Sequence, residues 1–171
     1  MRVSQAAAEE AKLWQRAIAT PGGDFEAYRE PVSRLWSGIK HSLRPKLVGG
    51  LAGIAELRAL MEKAIEDDGE FHHRATDYSV TLGHLDRVAD RNLVHVMFYE
   101  TLFRQSSIDK LAAFLDVRSW LIDDTVTHKG IDGGYALPED LARHARSKFA
   151  RVYADILHRF GSAVPLEWRY R

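Results

Sequence analysis

Only two stretches of this chain read as β-strand, and that shortage limits the folds open to it more than any other feature. The stretch 92–98, Asn-Leu-Val-His-Val-Met-Phe, is rich in valine and too short to stand as a helix. A shorter extended run is predicted over 24–29, after the break at Pro21-Gly22-Gly23. Helical spacing dominates elsewhere. Leu13, Trp14, Ala17 and Ile18 make an apolar stripe over residues 4–18. Pro31 stands where a helix would begin, and Leu35, Trp36, Ile39 and Leu43 recur until Pro45 ends the pattern.

After Gly49-Gly50, the residues Leu51, Ile54, Leu57, Leu60, Met61, Ala64 and Ile65 give the strongest amphipathic pattern of the first half. Tyr78, Leu82, Leu85 and Val88 predict another helix, and Ile108, Leu111, Ala112 and Leu115 a shorter one. Residues 123–134 read as an irregular, glycine-bearing loop. Pro138, Glu139 and Asp140 then open one long helix whose buried face is Leu141, Ala145, Phe149, Val152, Ile156 and Phe160, with Gly161 at its C-cap.

Two strands are too few for an ordinary sheet, so the expected class is a helix-rich α/β layer protein that lacks strands a full-length relative would supply. A length of 171 residues with 46% hydrophobic content fits a single domain, 1–171, with material for a core. Basic and acidic residues balance at 24 each, so no global field favours nucleic acid or an anionic membrane, and an anion site must be built locally. The absence of cysteine removes disulfides, thiolate nucleophiles and cysteine-ligated metals, and fits a reducing, cytoplasmic setting. Glu9, Glu10, Lys12 and Arg16 interrupt residues 1–18, which therefore read as neither a signal-peptide core nor a membrane span.

Chemistry gathers at Tyr28-Arg29-Glu30-Pro31-Val32-Ser33-Arg34-Leu35-Trp36-Ser37. Arginine ends a strand, proline starts a helix, and serine follows the arginine by eight positions. An arginine fork can give two parallel hydrogen bonds to phosphate oxygens, and a serine within the helix can add a hydroxyl. Arg34 and Ser37 share a helix face, while Leu35, Trp36 and Ile39 turn to the core.

The run Arg-Glu-Pro-x-x-Arg-Leu-x-Ser resembles the 3'-phosphate-binding motif of sulfotransferases that use 3'-phosphoadenylyl sulfate. Arg29 and Ser37 match its cofactor-contacting positions, and Glu30 replaces the commoner aspartate. Val96-Met97-Phe98-Tyr99-Glu100-Thr101-Leu102 is similar to the family's strand ending in Tyr-Glu-Asp-Leu. Phe114-Leu115-Asp116-Val117 is similar to its Phe-Leu-Gly-Leu helix end. The tail from Tyr135 through Pro138-Glu139-Asp140-Leu141, Tyr153, Phe160-Gly161 and Pro165 to Trp168 resembles the last helix of bacterial members. The resemblance covers about residue 24 to the C-terminus.

This likeness implies an incomplete P-loop-like sulfotransferase fold, with few short parallel strands flanked by helices. It implies Arg29 and Ser37 on the 3'-phosphate of a nucleotide sulfate donor, a hydroxyl or amine acceptor of unknown identity, and no metal. His128-Lys129-Gly130 weakly resembles a further 3'-phosphate contact of the family. The family's other phosphate cradle, a lysine- and glycine-bearing loop after the first strand, has no counterpart before Arg29, where Pro21-Gly22-Gly23 has no lysine beside it. The chain is therefore expected to be inactive or weakened alone, with its catalytic base unassigned. A non-catalytic helical interaction or nucleotide-binding module is the rival reading, and a second chain supplying the missing strands is a third.

Other residues invite chemistry without supporting it. His72 and His73 follow Asp67-Asp68-Gly69-Glu70 and read as a polar loop, and no histidine pair has zinc-ligand spacing with a third ligand. Glu100 reads as structural, and Trp14, Trp36, Trp120 and Trp168 as packing residues.

Overall fold

A computed structural model describes residues 24–67, 76–88, 94–122 and 135–169. The expected helix over 4–18, the Pro21-Gly22-Gly23 break, Asn92, the His72-His73 segment and the 123–134 loop with Lys129 lie outside the described residues. The chain divides into two units, Met1–Tyr28 with His84–Asp123 and Arg29–Gly83 with Asp124–Arg171.

In the first unit, β1 (Asp24–Tyr28) pairs in parallel with β2 (Val94–Phe98). The register sets Asp24 beside Val94 and Tyr28 beside Phe98. Parallel strands need a crossover rather than a tight turn, and 65 intervening residues from Arg29 to Leu93 supply one, mostly helical. These are the only strands among the described residues, so the observed architecture is helix-rich with a two-stranded parallel sheet. β2 runs directly into α5 (Tyr99–Leu102), and α6 (Gln105–Phe114) follows.

Met97, Leu102 and Leu111 form this unit's core, with Leu115 and Trp120 packed against them. The His95 ring stacks on Phe114 at 5.0 Å. Past α6 the chain turns back: Val117 N–H donates to the Ala112 carbonyl at 2.9 Å and Asp116 N–H to Ala113 at 3.3 Å. That paired closure requires a left-handed residue, and Asp116 supplies it with φ +52°. Gln105 then straps the following segment, donating to the Trp120 carbonyl at 2.9 Å and accepting from Ile122 N–H at 3.3 Å.

The second unit is helical. α1 (Pro31–Ser42), α2 (Arg44–Val48), α3 (Ile54–Glu66), α7 (Glu139–Lys148) and α8 (Ala150–Phe160) belong to it, as do Tyr78 and Leu82 at the start of α4 (Tyr78–Val88). Its core joins Val32, Leu35, Trp36 and Ile39 of α1, Leu57, Met61 and Ile65 of α3, and Leu141, Ala142 and Ala145 of α7. α1, α3 and α7 pack on one another. Trp36 Nε1 donates to the Tyr135 carbonyl at 3.1 Å, which ties the approach to α7 onto α1. No helix among the described residues is long and apolar enough to cross a membrane.

Three details differ from the sequence reading. Pro45 does not simply end a helix: α1 stops at Ser42 and Pro45 lies in the first turn of a new one, α2, where its missing N–H costs nothing. Leu51, Ile54 and Leu60 leave the expected stripe, at 80%, 45% and 36% exposure: α3 begins only at Ile54, after Gly53, whose N–H donates to the Glu56 carboxylate at 2.8 Å, and its buried row is Leu57, Met61 and Ile65. The long C-terminal helix is two helices joined at Phe149, whose φ −89° and ψ 11° fall outside the helical well. Phe149 is only 1% exposed, so anchoring its ring in the core outweighs helical continuity there. Gly161 does close α8 as expected, with φ +49°.

Candidate functional site

The start of α1 is organised around a buried acid. Glu30 is 5% exposed and caps the helix, its Oε2 accepting from Ser33 N–H at 2.6 Å, while Pro31 fills the first helical position. Its Oε1 accepts from the Tyr153 hydroxyl and faces Arg146 Nε at 3.8 Å. A carboxylate taken out of water needs such partners, and three elements supply them: α1 itself, α7 and α8. Burial first, and then the Glu30 charge, push the Tyr153 phenol far above its ordinary pKa, so it stays protonated and serves as a donor.

This cap changes where an anion could sit. A bare helix N-terminus attracts phosphate through its unsatisfied N–H groups. Here Ser33 N–H is occupied by Glu30, and Pro31 has none, so the end of α1 already holds its own anion. A phosphate beside this turn would depend on side chains, not on the helix terminus.

Arg29 lies half-buried in the two-residue link between β1 and α1. Its carbonyl accepts from the Tyr78 hydroxyl at 2.6 Å. Arg34, one turn into α1, rests its guanidinium over the Tyr78 ring, 5.4 Å from the centroid, with Nη1 3.4 Å from the same hydroxyl. Ser37 is half-buried, and with Glu30, Ser33 and Arg34 it follows one face of α1. The opposite face, Val32, Leu35, Trp36 and Ile39, is buried, as the periodicity requires.

Behind the link stands an aromatic group. Tyr78 stacks on Trp168 with centroids 6.3 Å apart, and Trp168 meets Tyr153 edge to face at 6.3 Å. Trp168 is thus buried packing, as expected, and it also joins two tyrosines that hydrogen-bond to Arg29 and Glu30. Sequence reasoning placed Tyr78 on a helix and Tyr153 in the family-like tail without linking either to this turn, and it did not single out Arg146. Their contacts to Glu30 or Arg29 span 49 to 123 residues, beyond any local spacing. The one available signal was a glutamate directly before a helix-starting proline, the capping position.

Glu100 sits in the first turn of α5 and is half-buried. Among the described residues, no three His, Asp or Glu side chains gather where they could hold a metal ion. No protein-family model matches this chain, and no curated protein matches it.

Proposed function

We propose that this chain is a sulfotransferase-type domain that binds 3'-phosphoadenylyl sulfate through Arg29 and Ser37. The observation that carries the reading is the division of labour at the start of α1. Glu30 of the Arg-Glu-Pro run is engaged by Ser33, Tyr153 and Arg146, and Arg34 lies on Tyr78, so these two charges build the turn that presents Arg29 and Ser37. Arg29 and Ser37 are the two positions the family resemblance gives to the 3'-phosphate.

A second feature supports the alignment behind that resemblance. Asp116 occupies the glycine position of the family's Phe-Leu-Gly-Leu helix end, and its φ of +52° is the conformation that favours glycine.

In an intact version that carries the 5'-phosphosulfate loop, the reaction class would be sulfuryl transfer by in-line displacement. The acceptor's hydroxyl or amine attacks sulfur, the bond from sulfur to the bridging oxygen breaks, adenosine 3',5'-bisphosphate leaves with the electron pair, and a base takes the acceptor's proton. Arg29 and Ser37 would act at the far end of the nucleotide, where binding energy orients the donor. An interaction module is the second reading; it draws on Val48, Leu51 and Ile54, apolar side chains exposed at 74%, 80% and 45% within one short stretch.

Thermal unfolding with adenosine 3',5'-bisphosphate tests the proposal. At about 100 times its dissociation constant the ligand should stabilise the native state by roughly 2.7 kcal/mol. The shift is expected for the natural chain and absent for Arg29→Ala. A folded natural chain that shows no shift at millimolar ligand sinks the proposal and leaves the interaction module in its place.

A further inference from the structure

We infer that Tyr78 is a positioning residue for this site: its hydroxyl fixes the backbone at Arg29 while its ring holds Arg34, and together these give the turn its selectivity for a nucleotide carrying a 3'-phosphate. The inference rests on the proposed nucleotide site.

Four contacts carry it. The Tyr78 hydroxyl donates to the Arg29 carbonyl at 2.6 Å, and its oxygen lies 3.4 Å from Arg34 Nη1. The Arg34 guanidinium sits over the same ring at 5.4 Å. On its other side Tyr78 is backed by Trp168 in a near-parallel stack, 24° between planes. Tyr78 is 2% exposed and Trp168 4%, so neither ring has room to swing away.

These contacts form a closed ring of interactions. From the Arg29 carbonyl it runs through Tyr78, Trp168 and Tyr153 to the Glu30 carboxylate, then back along the chain to Arg29. The Arg29 carbonyl and the Glu30 side chain are each held by an aromatic hydroxyl, and both tyrosine rings are braced by one tryptophan. An arginine fork discriminates between anions only when its anchor is fixed to within a fraction of an ångström. Tyr78 supplies that anchor from a different helix. It also orders Arg34, a second cation five residues on, whose charge then adds to the field at the turn without competing for Glu30.

The test compares adenosine 3',5'-bisphosphate with adenosine 5'-monophosphate by calorimetric titration, using the natural chain and Tyr78→Phe. Phenylalanine keeps the ring, the stack and the cation contact and removes only the hydroxyl. A general loosening of the fold would weaken both nucleotides equally, whereas a positioning role lowers their ratio. The expected result is an about tenfold loss for the bisphosphate, the value of one hydrogen bond's positioning, with less than about a twofold change for the monophosphate. If the natural chain prefers the bisphosphate and Tyr78→Phe keeps that preference, the inference is overturned while the proposed site stands. If the natural chain binds neither nucleotide, the site and the inference fall together. Should Tyr78→Phe not fold, Trp168→Phe carries the test: it shrinks the backing stack, and an about threefold fall in the ratio supports the role whereas an unchanged ratio overturns it.

Discussion

Two acidic residues mark helix ends in this molecule, and they do opposite work. Glu30 opens α1 in one unit, buried and held by Ser33, Tyr153 and Arg146. Asp116 follows α6 in the other, exposed, with its backbone in the left-handed region. At Glu30 the side chain is what the structure uses, because a buried carboxylate with three partners orders three helices. At Asp116 the structure uses the backbone, and the side chain is tolerated. Like chemistry at two helix ends therefore carries opposite consequences for substitution.

The largest effect is expected at the first of these. Glu30→Ala removes the cap and leaves Tyr153 and Arg146 facing an emptied site, which should cost about 3 kcal/mol. Urea unfolding measures this, and a loss under about 1 kcal/mol would mean that Glu30 is no hub.

Asp116→Gly should move stability the other way, by about 1 kcal/mol, because glycine adopts a positive φ without the steric cost that aspartate bears. A lower melting temperature in that variant would break the contrast, since it would make the Asp116 side chain a contributor.

A third, smaller effect sharpens the comparison by asking what a partly buried titratable group does when the charge beside it is another cation. His95 is that case. Burial first, and then the Lys110 charge, hold its pKa below the ordinary imidazole value. In the unfolded chain histidine titrates near about 6.5. As pH falls through that value the unfolded state takes up the proton more readily than the folded one. Stability is therefore complete above it and declines below it, until the folded-state pKa is passed. Melting temperatures between about pH 7.5 and 5 should show this decline, and His95→Gln should flatten it. An equal slope in both proteins would assign the decline to other groups.

Much of the fold was legible because its signals are local. Valine density marked β2, the Pro31 start and the Leu35-Trp36-Ile39 row marked α1, and Gly161 closed α8 where a left-handed residue was needed. The joint at Phe149 was not legible: the apolar row Leu141, Ala145, Phe149, Val152 and Ile156 is continuous, and no glycine or proline interrupts it. The break falls at a ring buried in the core, which no local spacing marks. The exposure of Leu51 followed from a start position set by Gly53 and Glu56, a detail finer than periodicity resolves. At the candidate site, Arg29 and Ser37 were readable as a spacing. Tyr78, Arg146 and Tyr153 were not, because nothing in their own neighbourhoods announces a partner on another helix.

The ring around the Arg29–Glu30 peptide also has a kinetic meaning. Its closing bond, between Tyr153 and Glu30, spans 123 residues, and the Tyr78 bond to Arg29 spans 49. Closing loops of that length is entropically unfavourable until packed helices have already brought the ends together. The turn is therefore expected to assemble late, after α1, α7 and α8 have docked. Burial of the Tyr78, Tyr153 and Trp168 rings during refolding would then lag behind recovery of helix content, and aromatic fluorescence against circular dichroism measures that lag.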